Sequence, residues 1–423
     1  MRPTAKTAGQ RDNLASYFEE EDKRLALADG SRIGVIGGGP AGSFFAFFLF
    51  RMADSLGLNI SVDIYEPRFF ARRGPAGCNH CGGVVSESLV QLLATEGINL
   101  PPTVVQRGID SYVLHTDVGD VHIDTPLQEM RIAAVYRGNG PKESEPVDIA
   151  GFDRHLRLTS SALNSPALGY RSPGTLRAFI CEFYLGRETI KQWLGSSMHV
   201  FLLDLPRLEF AALIPKGDFA TLCLLGDDVD EQLVESFLST PEVKACFPEA
   251  VVPTPACHCF PRINVRAAVR PFADRIVWIG DSGVNRLFKD GIGSAYRTAK
   301  AAARTAVFHG ISEADFEKGF WPECRILITD NRIAKLIFGV TTLIQRLRFL
   351  RRGVLRMTAR EQGDAGKNRL MSSVLWDVFT GSAPYKEILL RTFHPGFPLR
   401  LMWNLVAGNV VRTERKNMKG SGR

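Results

Sequence analysis

The sequence predicts an α/β protein with three parts: a strand–turn–helix nucleotide-binding unit of Rossmann type near its start, an inserted antiparallel sheet and a helical tail. Three observations carry that prediction. Residues 31–50 read SRIGVIGGGPAGSFFAFFLF, an apolar run that spaced glycines break into strand, turn and helix. Residues 108–136 and 178–225 contain runs that alternate apolar and polar residues at the period of strands. Residues 331–423 carry 18 Lys and Arg against 5 Asp and Glu, interleaved with aliphatic residues at helical spacing.

In the first element, Ile33, Val35 and Ile36 read as a short buried strand, and Ser43 to Met52 as a helix. Between them Gly37, Gly39 and Gly42 form G-x-G-x-x-G. The first glycine permits a tight turn, the second lets a pyrophosphate approach the backbone, and the third lets helix and strand pack closely. The helix N-terminus offers unpaired N–H groups and a positive dipole end worth about 1 kcal/mol toward an anion. A second strand, Ser61 to Tyr65, ends at Glu66, where an acid can take both hydroxyls of an adenosine ribose. A glycine-rich turn with a surface glutamate is the plainer reading. Strand, glycines, helix, strand and acid in that order favour a dinucleotide site.

Bulk properties bound the rest. A chain of 423 residues, 45% apolar and 23% charged, is long enough for two domains or one elaborate one. Eight cysteines in this length do not make a disulfide scaffold, and no secretory signal is evident, so the cytosolic side is expected. Residues 1–30 are polar and charged and read as a short helix over 13–27 or a loose arm. Residues 33–50 are no membrane span, because five glycines and a proline interrupt them. The net charge of +7 belongs to the tail. Its interleaved aliphatic residues point to an anionic membrane surface and away from nucleic acid.

After Glu66, the basic pair Arg72 and Arg73 can meet a phosphate or simply face solvent. A Gly- and Cys-rich stretch follows, and Ser86 caps a helix over residues 87–96. Strands are expected around Tyr112, Val121 and Ile132, a loop over 137–146, and a short helix from Phe152 to Ala162. Alternating runs at 178–185, 198–204, 209–214 and 220–225 build an antiparallel sheet, with helices at 229–238 and 242–246. A further buried strand, Ile276 to Ile279, ends at Gly280-Asp281. After a loop, Gly291-Ile-Gly293 opens an alanine-rich helix. A short acid at a strand end can accept from a polyol, and a Gly-lined helix N-terminus can lie against a flat ring. Plain strand–loop–helix packing accounts for the same pattern.

Taken together, these two stretches resemble the flavoprotein fold shared by FAD-dependent hydroxylases and geranylgeranyl reductases. Cys81-Gly-Gly-Val-Val-Ser86 is similar to the C-G-G-x-x-S run of the reductase branch, Phe152-Asp-Arg-His-Leu to its F-D-x-x-L helix, and residues 209–218 to its W-x-F-P segment. The likeness covers about residues 30–310. It implies a Rossmann-like FAD-binding domain (31–107 and 262–310), an inserted antiparallel-sheet substrate domain (108–261) and a basic helical C-terminal region (311–423). It also implies that Gly37, Gly39, Gly42 and Glu66 bind the ADP half of FAD. Asp281 would meet the flavin side, with Gly291 and Gly293 beside the ring; Arg73 and Gly280 complete the candidate set. Two departures stand out: the tryptophan of W-x-F-P is absent, and so is the A-D-G-x-x-S stretch that follows F-D-x-x-L in the family.

Three readings compete for the close cysteine pairs, Cys78 with Cys81 and Cys257 with Cys259, which enclose His80 and His258. They converge on zinc or an iron–sulfur cluster, or Cys78 and Cys81 form a redox dithiol, or the thiols are inert. The resemblance puts Cys81 near the flavin, which makes it the one candidate catalytic residue.

In the tail, Ile333, Ile337, Val340, Ile344 and Leu347 fall on one stripe flanked by Lys335 and arginines. This run and a second one over 401–411 are too short to cross a bilayer. Each suits an interfacial helix or one packed on the protein's own core. The functional expectation is an FAD-dependent oxidoreductase, peripheral on the inner face of a membrane, that reduces carbon–carbon double bonds of an isoprenoid, with NAD(P)H as a candidate electron donor. The alternatives are a monooxygenase or quinone-linked dehydrogenase on the same fold, or a non-catalytic flavoprotein or metal–cysteine module.

Overall fold

The computed structural model describes residues 25–70, 72–74, 77, 82–126, 132–141, 153, 170–247, 254–363 and 369–410. Strand β1 (Arg32–Ile36) runs into helix α1 (Pro40–Ser55), and β2 (Ser61–Tyr65) pairs parallel to β1 in register from Arg32↔Ser61 to Ile36↔Tyr65. Proline at the first helical position suits α1, because its missing N–H would have no partner there. Phe44, Phe48 and Leu49 are fully buried, and each such side chain removed from water contributes about 2 kcal/mol. Tyr296 meets the rings of Phe44 and Phe48 edge-on, at 5.7 and 5.4 Å.

The expected first strand is buried on one face only. Val35 is covered, whereas Ile36 is 60% exposed. The parallel sheet has two strands and α1 packs on one side of it, so alternate residues of β1 face outward.

Next come β3 (Val84–Val85), α2 (Glu87–Thr95) and β4 (Val105–Ile109). Ser86 caps α2, accepting from the Leu89 N–H at 3.3 Å. Strands β5 (Ser111–Thr116) and β6 (Gly119–Asp124) form a hairpin, and β7 (Ile132–Val135) returns to lie between β3 and β4. After β8 (Thr175–Arg177) the chain makes β9 (Phe179–Tyr184), α3 (Arg187–Trp193), β10 (Ser197–Phe201), β11 (Leu208–Lys216) and β12 (Phe219–Gly226). Helices α4 (Glu231–Leu238) and α5 (Pro241–Lys244) follow, then β13 (Thr254–Cys259) and β14 (Arg262–Asn264), the latter pairing with β8.

The large sheet has seven strands in the order β13-β9-β12-β11-β10-β5-β6. It is antiparallel except where β10 lies parallel to β5, a pairing that a purely antiparallel expectation misses. A long excursion separates these two strands, so the second can re-enter in the same direction.

The expected strand Ile276–Ile279 is shorter. Only β16 (Ile276–Val277) forms, pairing antiparallel with β15 (Phe272–Ala273), and Ile276 is exposed. The chain then bends: the Trp278 N–H returns to the Pro271 carbonyl and Gly280 takes a left-handed φ. Helix α6 (Gly291–Phe308) follows, its alanines Ala299, Ala302 and Ala303 fully buried.

Six helices close the chain: α7 (Glu313–Gly319), α8 (Trp321–Arg346), α9 (Arg348–Gly363), α10 (Leu370–Thr380), α11 (Tyr385–Thr392) and α12 (Gly396–Val410). The stretch 331–360 is two helices, broken at Leu347, whose backbone is extended. One face of the large sheet packs on these helices, with Tyr112, Val200 and Ile214 against Phe338, Met357 and Trp376. The other face packs on α3 and α4, with Phe201 and Leu213 against Ile190 and Phe237. The expected arm helix at 13–27 lies almost wholly outside the described residues, and the helix at 152–162 does so except for Asp153.

Candidate cofactor cleft

Gly37 has φ +95° and donates its N–H to the Tyr65 carbonyl at 2.8 Å, which ties the turn to the end of β2. A Cβ on Gly42 would stand 1.9 Å from the Gly37 carbonyl oxygen and 3.0 Å from Val35, so only glycine fits. Gly39 is the N-cap of α1, with no side chain capping it and no acidic residue in the first turn. That leaves the helix end available to an anion. Glu66 reaches this turn. One carboxylate oxygen accepts from the Gly38 N–H at 2.9 Å and the other from the Arg68 N–H at 2.9 Å. The buried Ser43 hydroxyl donates to the Gly38 carbonyl at 3.0 Å and braces the loop from below. Arg73 is half-buried, and its neighbour Gly74 donates to the Gly140 carbonyl at 2.8 Å.

Gly280 joins this end from far along the chain. At φ +55°, a Cβ there would lie 2.7 Å from the Ala41 Cβ, in the first turn of α1. Its N–H donates to the Thr298 hydroxyl at 3.0 Å. Asp281 follows. Asn264 donates to its main-chain carbonyl at 2.7 Å and the Asn285 amide to its carboxylate. The Asp281 side chain is open to solvent yet ringed by protein, as a group on the floor of a cleft is. That crowding raises its carboxyl above the ordinary range, and Arg137 opposite pulls it back. Arg137 is in turn held by fully buried Asp153, with a bidentate pair that includes a 3.0 Å contact. The acid of the F-D-x-x-L match therefore positions a cation that faces Asp281. At the same place Tyr170 stacks on Trp278 at 4.2 Å, and its hydroxyl donates to the Ser282 carbonyl at 2.6 Å.

The two glycines opening α6 differ. A Cβ on Gly291 would meet only the Asn285 amide, at 3.4 Å, whereas one on Gly293 would sit 2.0 Å from an Asp290 carboxylate oxygen. Asp290 is the left-handed N-cap of the helix, and its carboxylate lies against Gly293 without a side-chain capping hydrogen bond. The dipole end expected to face a ring thus has the chain's own acid beside it. Burial raises the Asp290 carboxyl, and its partner Arg286 lowers it. Arg286 also contacts Asp330 of α8 at 3.1 Å. Beside it Lys289 donates to the carbonyls of Asp377 and Ala383 at 2.6 and 3.0 Å, and burial brings its ammonium down to about 7. A cavity of about 40 Å³ opens here, lined by Ser86, Arg286, Asp290, Gly293 and Tyr296 among others.

Cys78, His80 and Cys81 lie outside the described residues. Gly82, next along, would bring a Cβ to 3.0 Å from the Cys223 sulfur and 3.5 Å from Ile214, so Gly82 packs on the helix-facing side of the large sheet. Lys216 is buried there, 3.8 Å from Glu182, which Thr221 also hydrogen-bonds at 2.7 Å. Burial raises the Glu182 carboxyl and Lys216 opposes it.

The second cysteine pair makes no three-ligand group with its histidine. On β13 the sulfurs of Cys257 and Cys259 share one face and His258 takes the other, turned toward Phe179 and Phe260.

Sequence reasoning named the glycines, Glu66 and Asp281. It did not name Arg137, Asn264 or Asn285. Arg137 sits in an unremarkable R-G-N-G loop, and its acid partner lies across a long insertion; only the F-D motif hinted at it.

No protein-family model matches the chain, nor does any curated protein. Solved structures do. A p-nitrophenol 4-monooxygenase from Pseudomonas putida aligns with a TM-score of 0.51 at 13% identity, over 84% of this chain and 100% of that one. A halogenase in complex with FAD aligns with a TM-score of 0.51 at 12% identity, over 90% and 92%. A geranylgeranyl bacteriochlorophyll reductase-like protein from Thermoplasma acidophilum gives 0.46 at 13%, over 89% and 99%. The fold shared with the first two is α/β: a Rossmann-like nucleotide-binding unit, a large sheet inserted in it and a helical C-terminal region.

Proposed function

We propose that this chain is an FAD-dependent oxidoreductase acting on an apolar substrate. The observation that carries the reading is the meeting of Gly280 with the first turn of α1, which joins the glycine turn and the Gly-Asp segment into one cleft. The residues present fit a dinucleotide. Gly37, Gly39 and Gly42 clear a path to an uncapped helix end for the diphosphate. Glu66 stands at that turn for the ribose, with Arg73 as a further phosphate contact. Gly280 and Asp281 line the way toward the ring, and Gly291 and Gly293 flank it. The likeness in fold to a halogenase solved with FAD supports the same cofactor.

Bound there, the flavin would supply two-electron hydride chemistry. The chain's own part is to bind, orient and exclude water. Arg137, fixed by Asp153, keeps a positive charge opposite Asp281, so an added anionic group meets a balanced pair. Cys81 is proposed to line the ring side, because its neighbour Gly82 packs on Cys223 and Ile214. Within the apolar class we favour reduction of an isoprenoid double bond, with NAD(P)H as donor. The C-G-G-x-x-S run and the tail support this choice. A monooxygenase is the second reading, supported by the likeness to the p-nitrophenol enzyme.

We further propose that the C-terminal helices dock on an anionic membrane, on the cytoplasmic side, where such substrates dissolve. Among the described residues no helix is long and apolar enough to cross a bilayer. Ile333, Ile337 and Ile344 pack against the core instead of facing out. Next to that packed face, Leu336, Val340 and Leu343 of α8 and Leu347 just past its end are exposed, as are Leu399, Met402, Trp403 and Val406 of α12. Exposed rows of this size beside arginines suit an interfacial surface.

The test is to purify the full chain in mild detergent, record its visible spectrum and identify the extracted cofactor. Bound FAD, bleached anaerobically by NADH or NADPH and reoxidised by an isoprenoid, supports the reading. A colourless protein that does not take up FAD ends it, and oxygen-dependent product transfers it to the monooxygenase.

A further inference from the structure

A second chemical cluster lies away from the cleft, on the face of the large sheet that packs on α3 and α4. Strands β5 and β10 run parallel there, with Val113 opposite His199 and His115 opposite Phe201. This register puts both imidazoles on one face. His199 also stands opposite Leu213, part of the core beneath those helices. The rings stack at 5.1 Å between centroids, 13° apart, and His115 stacks in turn on Phe201 at 4.8 Å. His115 Nε2 and His199 Nδ1 are 2.8 Å apart. Cys246, two residues past α5, brings its sulfur to 3.5 Å from His199 Nδ1 and 3.8 Å from His115 Nε2. His199 and Cys246 are buried.

These separations can be compared with a metal tetrahedron. Zinc bonds of about 2.05 Å to nitrogen and 2.3 Å to sulfur make edges of about 3.3 Å for N···N and about 3.6 Å for N···S. Both sulfur edges already match. The nitrogen edge is that of two imidazoles sharing a hydrogen bond and needs to open by about half an ångström, a small ring rotation. On edge strand β6 Asp120 is the cross-strand partner of His115, so its exposed carboxylate stands on the same face, close enough to act on both His115 and Cys246. The carbonyl of Glu242, 3.5 Å from the sulfur, accepts from the thiol when no metal is bound.

We propose that His115, His199 and Cys246, whose ligand atoms lie within 4.8 Å of one another, form a zinc site, with Asp120, outside that group, swinging in as the fourth ligand. Two imidazoles, a thiolate and a carboxylate suit Zn²⁺ over the hard cations Mg²⁺ and Ca²⁺. Its position makes the role structural: the metal fastens the segment after α5 to the edge half of the sheet. Among the described residues, the hydrogen-bond contacts of His115, His199 and Cys246 stay clear of the cofactor cleft.

The experiment uses the full chain from zinc-supplemented culture, desalted through a weak chelator and assayed for metal. Zinc is then exchanged for Co²⁺, and the spectrum is read. The expected result is about one zinc per chain, with a thiolate-to-cobalt charge-transfer band and intense visible bands of tetrahedral cobalt. Cys246→Ser abolishes the charge-transfer band. His199→Gln lowers zinc affinity about ten-fold or more, and Asp120→Asn lowers it less. Cys257→Ser changes nothing, and flavin content is the same in all variants that fold. Wild-type chain that holds no zinc and gives no tetrahedral cobalt spectrum overturns the proposal, whether or not the variants fold. An undiminished charge-transfer band in Cys246→Ser overturns it as well.

Discussion

Gly280 and Ala41 are in van der Waals contact range across the cleft: a Cβ at position 280 would stand 2.7 Å from that of Ala41. Gly280 also holds φ +55°, a region that L side chains rarely adopt. Gly280→Ala therefore carries both backbone strain and a clash, with an expected loss of about 1–3 kcal/mol of stability. The same variant pushes the Gly-Asp segment off α1, so its flavin-to-protein ratio falls. Urea midpoints and cofactor extraction measure the two effects.

Glu66 is bonded to backbone N–H groups on both oxygens. Replacing it with Ala removes a charge-assisted contact worth about 1.5–3 kcal/mol, and FAD affinity falls about 10- to 100-fold. Fluorescence titration of the apoprotein measures this. A Kd within two-fold of wild type (about 0.4 kcal/mol) removes Glu66 from the site.

Arg286 is buried between Asp290 and Asp330. Arg286→Met leaves two buried acids without their cation, and breaking such a set costs about 3–5 kcal/mol. The change is read as a lower denaturant midpoint. Asp330→Asn, which keeps the shape and one acceptor, costs less.

Lys289 gives a pH signature. Its ammonium is brought from 10.5 to about 7 by burial and by Arg286, while Asp377, Asp290 and Asp330 oppose the change. Between those two values the unfolded chain holds a proton that the folded chain has released. Stability therefore rises with pH from about 7 toward 10.5, by up to about 1.4 kcal/mol per unit. Lys289→Met lacks that rise. Urea unfolding at several pH values compares the two proteins, and parallel curves contradict the expectation.

Trp403 is 64% exposed and Leu399 72%. Changing both to Asp leaves the core intact, so the melting temperature stays within about 2 °C. Sedimentation with phosphatidylserine vesicles falls several-fold. Unchanged sedimentation counts against docking through α12.

What the sequence disclosed follows from how local each feature is. Gly37, Gly42 and Glu66 belong to one strand–turn–helix–strand unit, whose spacing is written in consecutive residues. Asp281 was legible for the same reason. Arg137 and Asp153 were not, because an ion pair across an insertion leaves no period. The His115–His199 pair was hidden further, because it depends on β5 and β10 running parallel, which alternation alone does not specify. Cysteine spacing misled: Cys257 and Cys259 are neighbours in sequence, yet a strand turns His258 to the opposite side. The tail's apolar stripe was visible. Which of its edges packs inward depends on Leu327, Ala334 and Phe338 meeting the core.

The segment from Asn285 to Asp290, which borders the cleft, is gripped from outside its own unit as well as by Asp281 and Ser294 within it. Asn331 of α8 accepts from the Leu287 N–H and donates to the Asn285 carbonyl, and the Tyr385 hydroxyl donates to the Leu287 carbonyl. The C-terminal helices are thus a splint for this loop, and trimming them would loosen the border of the cleft. A protein held to a bilayer by those helices would have its reaction centre braced by the very surface that anchors it.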